Sequence, residues 1–250
     1  MKLARNGTGP EVFESLQGEG VSVGTPSVFV RLSLCNLHCR WCDTAYTWNW
    51  EGTPYPHDAD TPESARKYRR EEEIIELNTS EVVQHILTYK ARNIVLTGGE
   101  PLVQGRELAV LATQLRETDP SYRFEVETNG TLPPPSALDS LVAQYNVSPK
   151  LANSGNTAPE REKSEALGFF AGCDRAWFKF VAATPQDLEE IRTLQSRYHL
   201  PAERILLMPE GTTSPALYEK MRWLAPLCQQ YGYRLGDRLH VHLFGQKRGV

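Results

Sequence analysis

Residues 27–42 read SVFVRLSLCNLHCRWC, and this stretch decides the fold. Its first half, Ser27 to Leu34, is an apolar and β-branched run of the kind that forms a buried strand. Three cysteines follow at once, Cys35, Cys39 and Cys42, with the spacing C-x3-C-x2-C. Ligands of parallel α/β proteins bind where strands end at their carboxyl edge, so this loop is the first candidate site.

The chemistry of the cysteine loop is that of metal binding. The chain has five cysteines, an odd number, and Cys173 and Cys228 stand apart from the other three, which does not suit a disulfide framework. An iron–sulfur cluster held by three thiolates leaves one iron free to bind another molecule. A structural zinc ion is the alternative, with His38, His57 or Cys173 as a possible fourth ligand.

Outward from this loop, apolar strand-like runs alternate with segments of helical period. Further strands are predicted at 93–97, 124–127, 145–148, 177–181, 205–208 and 239–243. Helices are predicted around 82–87, 108–115, 137–143, 185–194 and 217–230. Thr184 is expected to cap the fourth helix with Pro185 at its first position, and Pro226 to kink the last. This order predicts parallel βαβ units in an α/β fold, a partial (β/α)6 barrel of the TIM type.

One segment breaks the alternation. Residues 48–73 are rich in Pro, Glu, Arg and Asp and have little apolar period, which predicts an insertion or mobile flap after the cysteine loop. The remaining chain is long enough for one core, so residues 1–250 are expected to form a single domain.

Charge and hydropathy exclude several functions. The net charge is −4 without a long block of one sign, so no nucleic-acid partner is indicated. Residues 1–10 carry no apolar stretch, and no later run reaches membrane-spanning length. We therefore expect a soluble, cytoplasmic protein with no membrane partner.

Five segments with unusual residues follow predicted strands, and we expect them to meet on one rim. They are 35–44, 97–101, 127–130, 148–150 and 208–212. In Thr97-Gly98-Gly99-Glu100-Pro101, paired glycines allow the backbone to approach a ligand closely, and the carboxylate can accept hydrogen bonds from an ammonium group. Residues 127–130 fit either a similar role or a plain polar turn.

The cysteine spacing, with Trp41 before the third cysteine, is the signature of the radical S-adenosylmethionine (SAM) superfamily. Within it the chain resembles the 7-carboxy-7-deazaguanine synthase family from about Glu11 to its end, apart from the insertion at 48–73. The segments that carry the resemblance are Ser15-Leu16-Gln17-Gly18-Glu19-Gly20, Arg31, Cys42-Asp43-Thr44 and Ser148-Pro149-Lys150.

The resemblance implies a [4Fe-4S] cluster on Cys35, Cys39 and Cys42 and a Mg2+ ion at Thr44, with no catalytic side chain beyond the cofactors. The SAM site it implies comprises Trp41, Cys42, Asp43, Gly99, Glu100, Ser148, Pro149, Lys150, Met208, Pro209, Glu210 and Gly211. The substrate site it implies comprises Leu16, Gln17, Gly18, Glu19, Arg31 and Thr97.

Several of these residues have a simpler alternative. Arg31 interrupts an apolar strand, so its charge must be paired, either by a substrate carboxylate or by an acidic residue of the core. Thr44 can ligate a hard cation or merely cap a turn. Gln17 and Glu19 can bind the polar edge of a pterin or lie in a solvated turn.

The implied activity is a carbon–nitrogen lyase reaction of queuosine and 7-deazapurine biosynthesis. A 5'-deoxyadenosyl radical removes hydrogen from C6 of 6-carboxy-5,6,7,8-tetrahydropterin, and ring contraction with loss of ammonia gives 7-carboxy-7-deazaguanine. The implied partners are a flavodoxin- or ferredoxin-like electron donor and a second copy of the chain in a homodimer.

Two other functions compete with this one. A glycyl-radical-enzyme activase has the same cysteine loop but acts on a partner protein, and a zinc-binding module has no catalysis. The C-terminal segment departs from the family pattern, since His240 and His242 alternate on a predicted strand and would share one face.

Overall fold

The computed structural model describes residues 1–61, 63, 65 and 67–250. Pro62, Ser64 and Arg66 of the predicted insertion lie outside the described residues. The strands in the described part of the chain are β1 Lys2–Asn6, β2 Gly9–Pro10, β3 Val12–Leu16, β4 Pro26–Leu32, β5 Ile74–Glu76, β6 Asn93–Gly98, β7 Arg123–Thr128, β8 Val142–Val147, β9 Ala176–Ala182, β10 Ile205–Pro209 and β11 Arg234–Leu235.

Most of the helices lie in the connections between the parallel strands. They are α1 Arg70–Glu73, α2 Thr79–Leu87, α3 Gly105–Thr118, α4 Ser136–Asp139, α5 Ala158–Arg161, α6 Ser164–Ala171, α7 Asp187–Tyr198, α8 Ser214–Tyr231 and α9 Leu239–Phe244. Short 3-10 turns lie at Gly20–Ser22, Ala45–Thr47, Pro101–Gln104, Ala152–Ser154 and Ala202–Arg204.

One sheet runs through the molecule in the order β11-β10-β9-β8-β7-β6-β4-β1-β2, with β3 on β4 and β5 on β1. From β4 to β11 along this path the neighbours are parallel, whereas β1, β2, β3 and β5 pair antiparallel. Arg31 lies opposite Thr97 in the β4–β6 register, so their side chains share a face. The predicted partial barrel is thereby confirmed, with antiparallel strands that the sequence pattern did not indicate.

The two faces of the parallel sheet differ in chemistry. Val28, Val30 and Leu32 of β4 are fully buried in the hydrophobic core that the sheet forms with the helices. The opposite face carries buried polar side chains such as Glu125 and Gln144. The loop 17–25 lies against this polar face, where Ser22 donates to Glu125 (2.8 Å) and accepts from Gln144 (2.9 Å). A polar face turned away from the core is the surface on which a polar ligand can be bound.

The C-terminal segment is where the predicted fold is wrong. Residues 239–244 form helix α9 rather than a strand, because the chain turns after β11 and Leu239 donates its backbone N–H to Gly18 (2.8 Å). His240 and His242 therefore lie on different faces. His240 lies 3.9 Å from Glu19, whereas His242 contacts Ser214 (2.8 Å).

Some helix boundaries also differ from the predicted ones. Helix α7 begins at Asp187 rather than Pro185, because the Asp187 carboxylate accepts the backbone N–H groups of Ala183 and Thr184, each at 2.8 Å. Helix α4 is only four residues long, since β8 begins at Val142. No helix of the described residues is long and apolar enough to cross a membrane.

Candidate radical SAM site

The cysteine loop leaves β4 through a strained residue. Leu34 has a φ of 78°, a left-handed conformation that costs a non-glycine residue about 1–3 kcal/mol. Its backbone N–H donates to Thr47 (3.1 Å), and its carbonyl oxygen accepts from Glu100 (2.8 Å). These two hydrogen bonds hold the chain at the point where Cys35 turns away from the sheet.

The three thiols have the environment that a cluster requires. All are free, and each lies near a hydrogen-bonding group: the Leu37 N–H for Cys35 Sγ (3.5 Å), Asn156 Nδ2 for Cys39 Sγ (3.3 Å) and Thr44 Oγ1 for Cys42 Sγ (3.6 Å). Hydrogen bonds to sulfur are characteristic of cluster thiolates.

Burial raises the pKa of all three thiols, and that of Cys39 to about 11. Bound metal reverses this effect, because a coordinating thiol is deprotonated. The described residues contain no group of three or more His, Cys, Asp or Glu side chains arranged around one metal ion. In a four-iron cluster each cysteine binds a different iron, so its three sulfurs need not converge on one point. The donor set of this loop therefore fits the cluster.

The paired glycines at the end of β6, Gly98 and Gly99, allow the backbone that enters the cysteine loop to pass close to them. A Cβ on Gly98 would lie 2.0 Å from the carbonyl oxygen of Leu32, and one on Gly99 would lie 2.1 Å from that of Leu34. The predicted close approach therefore exists, but the group approached is the chain that enters the cysteine loop. The absence of side chains at Gly98 and Gly99 therefore allows the chain that enters the cysteine loop to pack directly against the end of β6.

Glu100 is a fully buried carboxylate at the same corner. It accepts hydrogen bonds from the backbone N–H groups of Asn129 (2.7 Å) and Leu102 (3.0 Å) and from the Thr128 hydroxyl (2.9 Å). Burial nevertheless raises the pKa of Glu100 to about 6. A cation bound beside it would stabilise the ionised form. Asn129 also donates to Asn36 (2.9 Å), so the segment after β7 is tied to the cysteine loop.

The segment after β8 reaches the same rim. The Lys150 ammonium donates to Ser148 (2.9 Å) and lies 5.5 Å from the centre of the Trp41 ring. The Trp41 indole N–H donates to the Asn153 carbonyl oxygen (3.1 Å), which fixes the ring. A flat aromatic face with a cation beside it is a suitable surface for a nucleobase.

The loop before β4 brings Gln17 and Glu19 into the partial barrel. Gln17 is buried, donates to Glu127 (3.1 Å) and accepts from the backbone of Glu19 (3.1 Å). Thr97 donates to the other oxygen of Glu127 (2.7 Å), so Glu127 joins two predicted substrate residues. Leu16, by contrast, is 39% exposed and lies at the end of β3. The solvated-turn alternative for Gln17 is excluded by its burial.

An ion-pair cluster that the sequence did not indicate connects the loop 17–25 to the cysteine loop. Arg238 donates to Glu19 (2.9 Å), to the carbonyl oxygen of Gly211 (2.6 Å) and to Asp43, and Lys179 also pairs with Glu19. Burial would raise the pKa of Glu19, but the charges of Lys179 and Arg238 hold it well below its ordinary value. Lys179 interrupts the apolar strand β9, as Arg31 interrupts β4, and that signal could have identified it.

Arg31 is paired within the protein. Its Nε donates to Glu11 (2.8 Å), which is 1% exposed and also accepts from Tyr46 (3.1 Å) and Arg248 (3.1 Å). Burial alone would lower the pKa of Arg31, but Tyr46 and Glu11 raise it above its ordinary value. The core ion pair is therefore present, and one edge of the guanidinium is fixed by it.

Two predicted segments are only partly at the rim. In 208–211, Gly211 contacts Arg238, but Met208 is buried and Glu210 pairs with Lys220 of α8. Thr44 precedes the turn Ala45–Thr47 without a side-chain cap hydrogen bond among the described residues. The Thr44 hydroxyl instead lies beside Cys42, where it could bind a cation.

The partial barrel and the cysteine loop define a radical SAM protein, and residues 30–149 match the radical SAM superfamily. A protein of this class binds a [4Fe-4S] cluster and SAM, which confirms these two predicted cofactors. The chain belongs to the 7-carboxy-7-deazaguanine synthase family. It is 36% identical over 241 residues to the 7-carboxy-7-deazaguanine synthase of Pyrobaculum aerophilum, covering 96% of this chain and 95% of that protein.

Two further comparisons agree. The 7-carboxy-7-deazaguanine synthase of Halobacterium salinarum is 34% identical, with 97% of this chain and 94% of that protein covered. The crystal structure of QueE from Escherichia coli superimposes with a TM-score of 0.64 at 27% identity, over 96% of this chain and 95% of that one. Neither the activase nor the zinc module is favoured by these relatives.

Proposed function

We propose that this protein is a carbon–nitrogen lyase that converts 6-carboxy-5,6,7,8-tetrahydropterin into 7-carboxy-7-deazaguanine with loss of ammonia, in queuosine and 7-deazapurine biosynthesis. Its relatives named 7-carboxy-7-deazaguanine synthase, similar over nearly the whole chain, support this activity. One observation carries the proposal: Arg238 joins Glu19, in the loop 17–25 that we assign to the substrate, to Asp43, the residue after Cys42. A molecule bound by that loop would lie beside the cluster.

In this proposal Cys35, Cys39 and Cys42 would hold the cluster, and a cluster with only three protein ligands would remain open to SAM. When bound, the cluster and SAM supply a 5'-deoxyadenosyl radical that can remove a hydrogen atom from the substrate. Trp41 and Lys150 bind the adenine side of SAM, an assignment that the position of the Lys150 ammonium 5.5 Å from the centre of the Trp41 ring supports. The remaining assigned SAM contacts are Cys42, Asp43, Gly99, Glu100, Ser148, Pro149, Met208, Pro209, Glu210 and Gly211.

Glu100 receives the methionine amino group in this assignment. Burial disfavours the ionised form of the Glu100 carboxylate and raises its pKa. An ammonium group beside it would stabilise the ionised form and so offset the free-energy cost of a buried negative charge. The bonds from Thr128, Asn129 and Leu102 fix the orientation of the carboxylate before SAM binds.

The pterin is assigned to the polar inner face. Gln17, Thr97 and Glu127 form one hydrogen-bonded chain that presents donors and acceptors to the edge of a heterocycle. Arg31 contacts Glu11 through Nε, and the proposal assigns its two terminal nitrogens to the substrate carboxylate. Thr44 would bind Mg2+, which orients that carboxylate. The work of these residues is to hold one hydrogen of the substrate toward SAM and to exclude water.

We also propose a single domain over residues 1–250, because one sheet includes strands from both ends of the chain. The family resemblance supports a homodimer and a flavodoxin- or ferredoxin-like electron donor. The clustered thiols suit a reducing compartment, which supports the cytoplasm.

The test is product formation. The anaerobically reconstituted protein is incubated with SAM, dithionite, Mg2+ and 6-carboxy-tetrahydropterin, and the products are identified by mass spectrometry. We expect 7-carboxy-7-deazaguanine and ammonia from the wild type and none from Cys39→Ala. Release of 5'-deoxyadenosine with the pterin unchanged would reject the substrate and favour the activase.

A further inference from the structure

The cysteine loop is held between two segments of the chain. On one side it contacts residues 153–156. Arg40 donates its backbone N–H to Ser154 (2.9 Å), and His38 donates its backbone N–H to the Asn156 side chain (2.8 Å). The Asn156 amide also donates to Cys39 Sγ (3.3 Å). This side of the loop is thus fixed to the barrel by the turn after β8.

The other side of the loop is covered by the first part of the insertion. The rings of His38 and Tyr55 stack with centres 3.4 Å apart and planes 6° apart. Trp48, which is 3% exposed, meets the edge of both, at 5.2 Å from His38 and 6.3 Å from Tyr55. Pro54 and Pro56 flank Tyr55 and restrict its backbone.

Polar contacts extend the same interface along the loop. His57 Nε2 lies 2.8 Å from the carbonyl oxygen of Cys42. Asp58 donates its backbone N–H to Arg40 (2.7 Å), and its carboxylate accepts from the Arg40 guanidinium (2.6 Å). The insertion therefore contacts alternate residues of the loop, from His38 through Arg40 to Cys42. Residues 48–60 are called the clasp below.

The clasp is also tied to residues 67–68 in the second part of the insertion, independently of the cysteine loop. Lys67 donates to the Asn49 side chain and to the carbonyl oxygen of Tyr55, both at 2.6 Å. Glu51 donates its backbone N–H to Tyr68 (2.9 Å), so the two ends of the insertion lie side by side. A segment tied in this way can act as a fixed support for a neighbouring loop.

We propose that the clasp is a positioning element for the iron–sulfur site: it holds the cysteine loop in its ligand-binding geometry and slows the loss of the cluster. The inference rests on the cluster assigned to this loop in the proposed function. Three ligands on eight consecutive residues must be ordered at a cost in chain entropy. Contacts on both sides of the loop order it before the cluster binds, so that less entropy is lost on binding. Contacts that orient the ligands in this way increase the affinity of a metal site.

The first test uses the protein without a cluster. Amide hydrogen exchange of residues 35–42 is measured in the wild type, in Tyr55→Ala, and in a variant in which residues 53–66 are replaced by Gly-Ser. The short linker is feasible because Glu51 and Tyr68 are already adjacent. Loss of one aromatic pair should speed exchange by roughly twofold to tenfold in Tyr55→Ala, with a larger effect in the shortened variant.

Two control variants separate positioning from general damage. Tyr55→Phe keeps the ring and should restore wild-type exchange, and Glu51→Ala alters an exposed residue of the same segment and should leave exchange unchanged. The melting temperature of Tyr55→Ala should stay close to that of the wild type, since only a local opening is affected. Wild-type exchange in both Tyr55→Ala and the shortened variant would overturn the proposal.

The second test uses the reconstituted protein and a ferrous-iron chelator. Iron should be extracted faster from Tyr55→Ala and fastest from the shortened variant, with Tyr55→Phe like the wild type. Equal extraction rates in all four proteins would overturn the role in cluster retention. A wild-type protein that takes up no cluster would instead contradict the proposed function, and the exchange experiment would still decide whether the clasp orders the loop.

Discussion

Arg238 gives the sharpest test of the ion-pair cluster at the site. Its guanidinium binds Glu19, Asp43 and the Gly211 carbonyl oxygen, which belong to three different segments of the rim. Its side chain is only 10% exposed, and that of Glu19 is 15% exposed. We predict a large coupling free energy between Arg238 and Glu19 in the unfolding of the protein.

The magnitude follows from burial and from the second partner of Glu19. A solvent-exposed ion pair contributes about 0.2–1 kcal/mol, whereas removing one partner of a buried pair costs about 3–5 kcal/mol. The Arg238–Glu19 pair is mostly buried, but Glu19 keeps Lys179 when Arg238 is removed. The coupling should therefore lie between these limits, at about 1–3 kcal/mol.

The assay is a double-mutant cycle of Arg238→Gln and Glu19→Gln, with free energies of unfolding from urea titrations near neutral pH. The matched control is Arg92→Gln with Asp119→Asn, an ion pair of 2.8 Å whose side chains are 42% and 35% exposed. Solvent screens the charges of this exposed pair, so its coupling should be clearly smaller than that of Arg238 and Glu19. A coupling for Arg238 and Glu19 no larger than that of the control would refute the reasoning.

The same cycle has a defined pH dependence. The pKa of Glu19 is lowered well below 4.5 in the folded protein, so its contribution to stability is complete above the unfolded pKa. The contribution is lost as the pH falls through the lowered pKa, because the carboxylate is then protonated in both states. The coupling should therefore vanish at strongly acidic pH, and a coupling that persists there would contradict the ion pair.

Three further predictions concern single residues. Gly99→Ala should destabilise the protein by about 1–3 kcal/mol, because a Cβ would lie 2.1 Å from the Leu34 carbonyl oxygen. The control Gly168→Ala should not destabilise it, because nothing lies within 4 Å of the added Cβ, and thermal unfolding compares the two variants. The pKa of Glu100 is raised to about 6, so between pH 4.5 and 6 the folded protein keeps a proton that the unfolded chain has lost. The wild type should therefore lose stability relative to Glu100→Gln as the pH rises through this range. Urea titrations of the two proteins that stay parallel across this range would reject the prediction. Arg31→Lys should raise KM for the pterin about tenfold with little change in KM for SAM, because an ammonium group would replace the proposed bidentate guanidinium. The same KM for the pterin in the wild type and in Arg31→Lys would exclude Arg31 from the substrate site.

The parallel strands β4, β6, β7, β8, β9 and β10 could be predicted because their signal is local: a largely apolar run ends at a polar or glycine-containing segment, as Asn93–Gly98 and Ile205–Pro209 show. The parallel strand β11, Arg234–Leu235, was missed because it has only two residues and both are exposed. The antiparallel strands carry no such signal. Strand β5, Ile74–Glu76, is three residues long and exists because it pairs with β1, a contact between distant parts of the chain.

Residues 239–244 show where local pattern is ambiguous. The sequence LHVHLF alternates as a strand does, but a six-residue segment is also long enough for one and a half helical turns. The choice is made by tertiary contacts, including the bond from Leu239 to Gly18. The structure therefore reversed the predicted placement of His240 and His242.

Among the site residues, too, those within a local motif could be predicted and those brought together by the fold could not. The role of the thiols could be predicted because Cys35, Cys39 and Cys42 lie on one loop and their C-x3-C-x2-C spacing is typical of cluster binding. Arg238 could not, because it reaches Asp43 from 195 positions away and lies outside any recognisable motif. Residues that join segments of a site are determined by the fold rather than by local sequence.

In the proposed lyase reaction SAM would be a cofactor that is regenerated in each turnover, because the hydrogen taken from the substrate would be returned to the product and 5'-deoxyadenosine would not be released. The most direct measurement is the ratio of 7-carboxy-7-deazaguanine to 5'-deoxyadenosine formed by the reconstituted enzyme under anaerobic turnover, determined by mass spectrometry. We predict that product accumulates in large excess over 5'-deoxyadenosine, with SAM recovered. Accumulation of 5'-deoxyadenosine in amounts equal to or above the product, or without any product, would contradict it.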